Sequence, residues 1–309
     1  MEKHEIARLI AEVSQEELQR HVFFLSKDPL PYRKLNFTRP GQTKSTLEEA
    51  DDYLVAQLGA SGYAVEKEPV QVQAFRCDRS RPRHHWYSPP DPSDPWYTAH
   101  NLYAKKSGTT HPNEFIYLVS HKDSPSWIDC PGAYDNAVGT SANLELARWL
   151  ASIPTRRSVW FLFCNEEHTP WTSVTAAENA RDRGDNLVAV FNLDGVGGKP
   201  AEDVAAGRHT NVTLYTAPEG ERLAELMARV NEEYAVGLDQ RPYRREAPGD
   251  DDGSFIKAGF PAAVANIGSY PFAEPHYHEP EDTADRVDIP NVRKTAQATL
   301  AAVLTLDAA

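Results

Sequence analysis

The sequence predicts an α/β domain, and two observations carry that expectation. From about residue 100 onward, short runs of consecutive apolar residues alternate with stretches of helical periodicity, the text of a sheet covered on both faces. Three of those runs end abruptly in histidine or carboxylate residues. Strands that deliver polar groups to the edge of an open sheet read this way.

The N-terminal region reads as helical. Ile6, Leu9, Ile10 and Val13 recur at helical spacing, and Ser14-Gln15-Glu16-Glu17 reads as a capping box for a second helix through Leu18, Val22 and Leu25. A second capping box, Ser45-Thr46-Leu47-Glu48, opens a helix through Tyr53, Leu54 and Leu58, stopped by Gly59 and Gly62. Strand-like text runs from Tyr63 to Phe75. Residues 77–99 then mix Pro82, Pro89, Pro90, Pro92 and Pro95 with His84, His85, Trp86, Tyr87, Trp96 and Tyr97. So many aromatics point to a long loop packed on the body of the protein rather than a disordered linker.

Within the alternating region, Phe115–Val119, Val159–Phe163 and Leu187–Leu193 are read as buried strands, with a helix over Asn143–Leu150. Val212–Tyr215 is a further strand, followed by a helix through Leu223, Leu226, Met227 and Val230. Pro261–Ile267 is the last strand, and a final helix carries Val292, Leu300, Val303 and Leu304. No internal repeat or linker interrupts this text. The expectation is one domain over residues 1–309, with N-terminal helices in 1–62, the loop in 77–99 and an α/β core in 100–309.

Composition narrows the function. Hydrophobic residues make up 40% and charged residues 25% of the chain, which is globular usage, and no run approaches the roughly 18 apolar residues of a membrane span. The 45 acidic and 32 basic residues give a net charge of -13, which disfavours nucleic acid and anionic membranes as partners. Cys77, Cys130 and Cys164 are too few and scattered for a disulfide framework or a cysteine zinc site. Met1-Glu2-Lys3-His4-Glu5 has mixed charge with no apolar stretch behind it, so no secretory signal is read and a cytoplasmic location is expected.

The chemistry is concentrated where the buried runs end. The first delivers His121-Lys122-Asp123, the second Asn165-Glu166-Glu167, and the third Asp194 followed by Gly195. Between the first two, Pro131-Gly132-Ala133-Tyr134-Asp135-Asn136 makes a tight turn that brings Asp135 to a helix start. After the last strand comes His276-Tyr277-His278-Glu279-Pro280-Glu281-Asp282. Carboxylates gathered at one place cost several kcal/mol unless cations neutralise them. Two imidazoles with several carboxylates suit zinc, with cobalt or manganese as substitutes. A set rich in oxygen and free of thiolate points to open coordination positions, hence catalysis.

On these five separated motifs, in this order, the chain resembles the co-catalytic zinc exopeptidases of metallopeptidase family 28, with the match running from about Asn101 to Asp285. The resemblance implies a three-layer α/β/α fold around a central mixed, largely parallel sheet. It also implies two zinc ions per chain, one held by His121 and Asp194, the other by Glu167 and His278, with Asp135 bridging. Glu166 would be the general base for a metal-bridged hydroxide, Asp123 would fix the ring of His121, and the Tyr277 phenol would polarise the substrate carbonyl. The substrate implied is a peptide or aminoacyl compound with a free N-terminus.

There are departures from the family pattern. Tyr134 stands where an aspartate is usual, His168-Thr169-Pro170-Trp171-Thr172-Ser173 replaces a glycine-rich aliphatic segment, and Asp251-Asp252-Gly253-Ser254-Phe255 replaces an aspartate-histidine pair. These put the specificity pocket in question, and Trp171 and Phe255 are expected to line it. Two other activities occur on such scaffolds. A metallocarboxypeptidase needs arginines for a terminal carboxylate, with Arg208, Arg241, Arg244 and Arg245 as candidates. A glutaminyl cyclase, an acyltransferase using one zinc, typically has tryptophan where this chain has Tyr277. A catalytically dead scaffold would have lost ligands, and none is lost here. Elsewhere plain readings win: His84-His85 as a surface pair, Asp250-Asp251-Asp252 as a mostly solvated loop that could reach the site, Cys130 and Cys164 as packed, inert thiols.

Overall fold

Strands buried on both faces form the centre of the molecule, because their alternate side chains feed two separate cores. The computed structural model describes residues 2–309. Three helices, α1 (Lys3–Ala11), α2 (Gln15–Ser26) and α3 (Thr46–Ala60), precede strand β1 (Val65–Ala74). The short strands β2 (Arg76–Cys77) and β3 (Tyr87–Ser88) pair in a sheet of their own. Next come β4 (Trp96–Lys106), β5 (His111–His121), α4 (Val138–Ser152), β6 (Arg157–Cys164), β7 (His168–Thr169), α5 (Thr172–Arg183) and β8 (Asn186–Leu193). The chain continues through α6 (Ala201–Ala205), β9 (Thr210–Tyr215), α7 (Pro218–Glu233), β10 (Asp239–Arg244), α8 (Asp250–Lys257), β11 (Ala263–Ile267) and α9 (Ile289–Ala308).

Nine strands form one mixed sheet in the order β10-β9-β11-β8-β5-β6-β4-β1-β7. The middle is parallel, with β5 paired to β6 on one side and to β8 on the other, and β11 beyond β8. Antiparallel strands β4 and β1 extend one side, and β9 lies antiparallel to β11 on the other. Alternation along β5 sends Ile116 and Leu118 into the larger core and Tyr117 and Val119 into the smaller. In β6, Val159, Phe161 and Phe163 face the larger core while Leu162 and Cys164 face the smaller. Residues of α1, α2, α3, α4, α7 and α9 pack into the larger core, and α5 and α8 cover the other face. The result is the three-layer α/β/α arrangement expected. Among the described residues no helix is long and apolar enough to cross a membrane.

The structure departs from the sequence reading at several elements. The 77–99 segment is not loop throughout, since β2 and β3 pair within it and β4 already starts at Trp96. β4 was missed because its first half lies at an open face, with Trp96 57% exposed, so it lacks the apolar run of a buried strand. Ser14 accepts a hydrogen bond from the Glu17 amide at 3.2 Å, yet the box is half formed, because the Ser14 amide donates to Glu145 instead. The Ser45–Glu48 box is complete. Asp250, Asp251 and Asp252 form the first turn of α8, with Asp251 and Asp252 fully buried. They are not a solvated loop, because Arg245 reaches Asp250 at 2.6 Å and also bonds Asp252.

Candidate metal centre

The switch in strand order beside β5 fixes where side chains can converge. β5, β6, β8 and β11 run in the same direction, so their carboxyl ends share one edge of the sheet. His121 is the last residue of β5, Glu166 and Glu167 follow β6, and Asp194 follows β8. The loop after β11 brings His278 to the same place, and the turn before α4 brings Asp135. That turn is irregular, with Asp135 at φ -122°, ψ 83°, outside helical geometry, immediately before α4 begins.

Asp135 sits between two imidazoles. One of its carboxylate oxygens lies 3.0 Å from His121 Nε2 and the other 2.8 Å from His278 Nε2. His121 Nε2 is also 3.4 Å from Asp194, and His278 Nε2 is 3.5 Å from Glu167. Two three-residue donor sets share one carboxylate: His121, Asp135 and Asp194, and His278, Asp135 and Glu167. The ligand atoms of His121, Glu166 and Asp194 also lie within 4.8 Å of one another, as do those of His121, Asp135 and Glu167.

Neighbouring groups hold each ligand in place. Asp123 accepts the Glu166 amide on one oxygen at 3.0 Å and the Glu167 amide on the other at 2.9 Å. The same carboxylate is 3.3 Å from His121 Nδ1 and 2.8 Å from His168 Nδ1. His168 Nε2 accepts the Leu35 amide, so its Nδ1 carries the proton donated to Asp123. His278 Nδ1 lies 2.8 Å from the His84 carbonyl. A carbonyl can only accept, so Nδ1 carries a proton, and Nε2, the nitrogen facing Asp135 and Glu167, is the one that can be given to a metal. The Asp282 carboxylate accepts the Tyr134 and Asp135 amides, tying the Asp135 turn to the His278 loop. The buried guanidinium of Arg33 donates to the carbonyls of Lys122, Leu25, Pro131 and Gly132, joining the segments after His121 and before Asp135.

The electrostatics are those of a crowded, dry site. Burial raises the Glu166 carboxyl well above its usual range, helped by Asp251, Asp250 and Asp194, and burial with Asp135 pushes Glu167 up to about 7. Burial alone would lower both imidazoles, but Asp194, Asp123 and Asp135 hold His121 well above 6.5, and Glu167 with Asp135 raises His278 to about 10. Burial also opposes ionisation of Asp135, yet His121 and His278 hold it below the usual range. Such a set keeps protons where it lacks another cation.

Whether the donors fit a metal is tested by the atoms left over. Asp135 Oδ2, His278 Nε2 and Glu166 Oε2 are buried and have no hydrogen-bond partner. Asp135 Oδ2 and His278 Nε2 are 2.8 Å apart yet lack the alignment of a hydrogen bond between them. Buried polar groups are rarely left so, and two electron-pair donors side by side are what a shared divalent cation requires. The imidazole and carboxylate set, without thiolate, fits zinc at a catalytic position.

All eight residues singled out in the sequence are brought to this edge. Tyr277 stacks on the His278 ring at 3.8 Å between centroids, and burial keeps its phenol protonated. Two cavities adjoin the centre. One, of about 110 Å³, has Leu214, Ile267, Tyr270 and Phe272 on its wall beside Asp194 and Gly195. The other, of about 200 Å³, lies among Phe75, Tyr87, Trp127 and Trp171, beside Glu166 and Glu167. Asp250 and Tyr277 border both. Trp171 is where it was expected. Phe255 is not: it is fully buried in the smaller core against Tyr117, since α8 turns it toward the sheet.

Sequence reasoning missed other contributors. Asp282, Arg33, Trp127 and the His84 carbonyl act through spatial contact across the chain, and only Asp282 lies inside a motif. The His84–His85 pair is exposed as expected, but its backbone is part of the site. Of the candidate arginines, Arg245 is committed to Asp250 and Asp252, Arg208 to Asp203, and Arg241 and Arg244 are exposed on β10. Neither cavity has a lysine or arginine on its wall among the described residues. Cys130 and Cys164 are buried and their thiols are raised well above their usual value, first by burial, as inert thiols should be.

Comparison with known proteins agrees with this arrangement. The sequence profile of Peptidase family M28 matches residues 101–303. A probable zinc metalloprotease of Pyrenophora tritici-repentis is 29% identical over 162 residues, covering 50% of this chain and 36% of that protein. The chain thus spans about a third of the length of that relative. Among solved structures, an aminopeptidase from Aneurinibacillus sp. strain AM-1 superposes with a TM-score of 0.74 at 18% identity, covering 98% of this chain and 95% of the other. A glutaminyl cyclase of Bacteroides thetaiotaomicron superposes with a TM-score of 0.71 at 17% identity, covering 94% and 97%. At such identities these two structures establish the fold, and the site must distinguish between their activities.

Proposed function

The chain belongs to peptidase family M28, and from that premise we propose that it is a zinc aminopeptidase that removes the N-terminal residue of peptides. The observation that carries the reading is Asp135, whose two oxygens face two different histidines, each with a further carboxylate of its own. One zinc would use half of these donors; two would use all of them. His121, Asp135 and Asp194 would hold one ion, and His278, Asp135 and Glu167 the other. Bound there, such ions supply Lewis-acid polarisation of a carbonyl and a water of lowered pKa.

The rest of the reaction falls to the chain's own residues. Glu166, with one buried oxygen free of partners, takes the proton of the attacking water. The water oxygen joins the carbonyl carbon, the carbon–nitrogen bond breaks, and Glu166 returns the proton to the departing nitrogen. Asp123 positions the Glu166 and Glu167 backbone, and the Tyr277 phenol, kept neutral, donates to the carbonyl oxygen. The carboxylates near Asp194 and Asp250 suit the substrate's free ammonium group.

Specific observations weigh against the alternatives. A carboxypeptidase would need a cation for the substrate carboxylate; Arg208 is paired with Asp203, Arg245 with Asp250 and Asp252, and no arginine lies on the wall of either cavity among the described residues. A cyclase with one zinc leaves the second donor set without a purpose. The test is a pair of measurements on the protein as purified and reloaded. Saturating zinc should give two ions per chain, and a peptide with a free N-terminus should be cleaved while its N-acetylated form is not. One ion per chain with cyclisation of N-terminal glutamine would replace this reading with the cyclase. Cleavage of the acetylated peptide from its C-terminus would replace it with the carboxypeptidase.

A further inference from the structure

The two cavities beside the centre differ in which catalytic group they touch. Glu166 borders only the cavity among Phe75, Tyr87, Trp127 and Trp171. Asp194 and Asp135 border only the smaller one. In the reaction proposed above, the water oxygen bonds to the carbonyl carbon and the departing nitrogen takes its proton from Glu166. The departing half must therefore leave along the wall that Glu166 belongs to. The half that keeps the carbonyl, with its free amine and side chain, is left with the smaller cavity and its carboxylates.

On this geometry we propose that the aromatic cavity receives the side chain of the substrate's second residue and selects large apolar or aromatic side chains there. The inference rests on the aminopeptidase reading. Phe75, Tyr87 and Trp127 pack on one another with centroid separations of 4.8 to 5.9 Å, forming one continuous aromatic surface, and Trp171 adds a fourth ring to the wall. The cavity, about 200 Å³, is larger than its neighbour. Its only charged neighbours other than His278 are the carboxyl groups of Glu166, Glu167 and Asp250, with no lysine or arginine among them. An acidic second residue would meet the Glu166 carboxyl with no lysine or arginine on the cavity wall to receive it, and a glycine would leave the rings without a partner. Tyr87 reaches the cavity from β3, so the hairpin formed by β2 and β3 takes part in substrate choice.

The experiment compares C-terminally amidated dipeptides Leu-Gly, Leu-Asp, Leu-Leu and Leu-Phe on the zinc-loaded protein, by kcat/KM. Leu-Phe should exceed Leu-Gly by at least about tenfold, the usual scale for filling an apolar pocket, and Leu-Asp should be poorest. In Trp171→Ala, and separately in Phe75→Ala, the Leu-Phe to Leu-Gly ratio should fall toward one. Equal rates across the series, or an unchanged ratio in both variants, would overturn the inference and leave the aminopeptidase reading intact. Cleavage of none of the four, with two zinc ions bound, would overturn the aminopeptidase reading itself and this inference with it.

Discussion

Glu166 and Glu167 leave the same strand end, and the Asp123 carboxylate accepts both of their amides, yet they are assigned different work. Glu167 lies 3.5 Å from His278 Nε2, whereas Glu166 presents an unpartnered oxygen. Glu166→Gln keeps the shape and removes the proton acceptor. It should bind two zinc ions with unchanged affinity and lose roughly 10²–10⁴-fold in kcat. Glu167→Gln should instead weaken one of the two zinc sites, with activity partly restored by excess zinc. Zinc titration together with steady-state kinetics separates the two, and loss of metal in the Glu166 variant would reverse the assignment. That the pair belongs to a site was legible in the sequence, because two charges directly after a buried strand are out of place unless they have work to do; the division of work between them is what the family resemblance implies. The partner atoms were not legible. Nothing around His84 marks its carbonyl as the acceptor for His278, and Arg33 looks like any loop arginine until four carbonyls are found around it.

At the scale of elements, the 77–99 segment is tied to the loop that carries His278. Arg83 bonds Glu279 and Glu281, both at 2.9 Å, and the His84 ring lies 2.8 Å from the Tyr277 carbonyl while its own carbonyl holds His278. Glu279 is nearly fully buried, so Arg83 is more than a surface ion pair. Releasing this arm with Arg83→Ala should weaken zinc binding at the His278 set by about tenfold, the low end of the effect of losing such an outer hydrogen bond. The His121 set should be unaffected. Competition with a chelator reads the two affinities, and equal wild-type values for both would refute the coupling. The central strands were readable because each is a run of apolar residues filling two cores. β4 and α8 were not, since β4 begins on an exposed face and α8 buries aspartates against Arg245. The residue pattern alone cannot express a burial made tolerable by a partner outside it.

For the molecule as a whole, stability should depend on a buried histidine outside the candidate metal centre. His21 on α2 lies 2.7 Å from the Tyr53 hydroxyl, and its other nitrogen faces Arg20 and Glu17. Burial, with Arg20 adding to it, lowers its pKa from 6.5 to about 3, against an opposing pull from Glu17. Between those values the unfolded chain binds the proton and the folded chain does not. The contribution is complete above about pH 6.5 and is lost as the pH falls, by at most about 2 kcal/mol between pH 7 and pH 5. Urea unfolding at both pH values should show a smaller loss in His21→Gln than in the wild type, and equal losses would reject the assignment. The shared carboxylate has a consequence of another kind, in the order of synthesis. His121, Asp135 and Asp194 complete one donor set well before the ribosome reaches His278, whose set also needs the sheet to have closed over β11. A nascent or truncated chain can therefore own one half of the centre but never both, and on the proposed reading two-metal hydrolysis would wait until the last strand is docked.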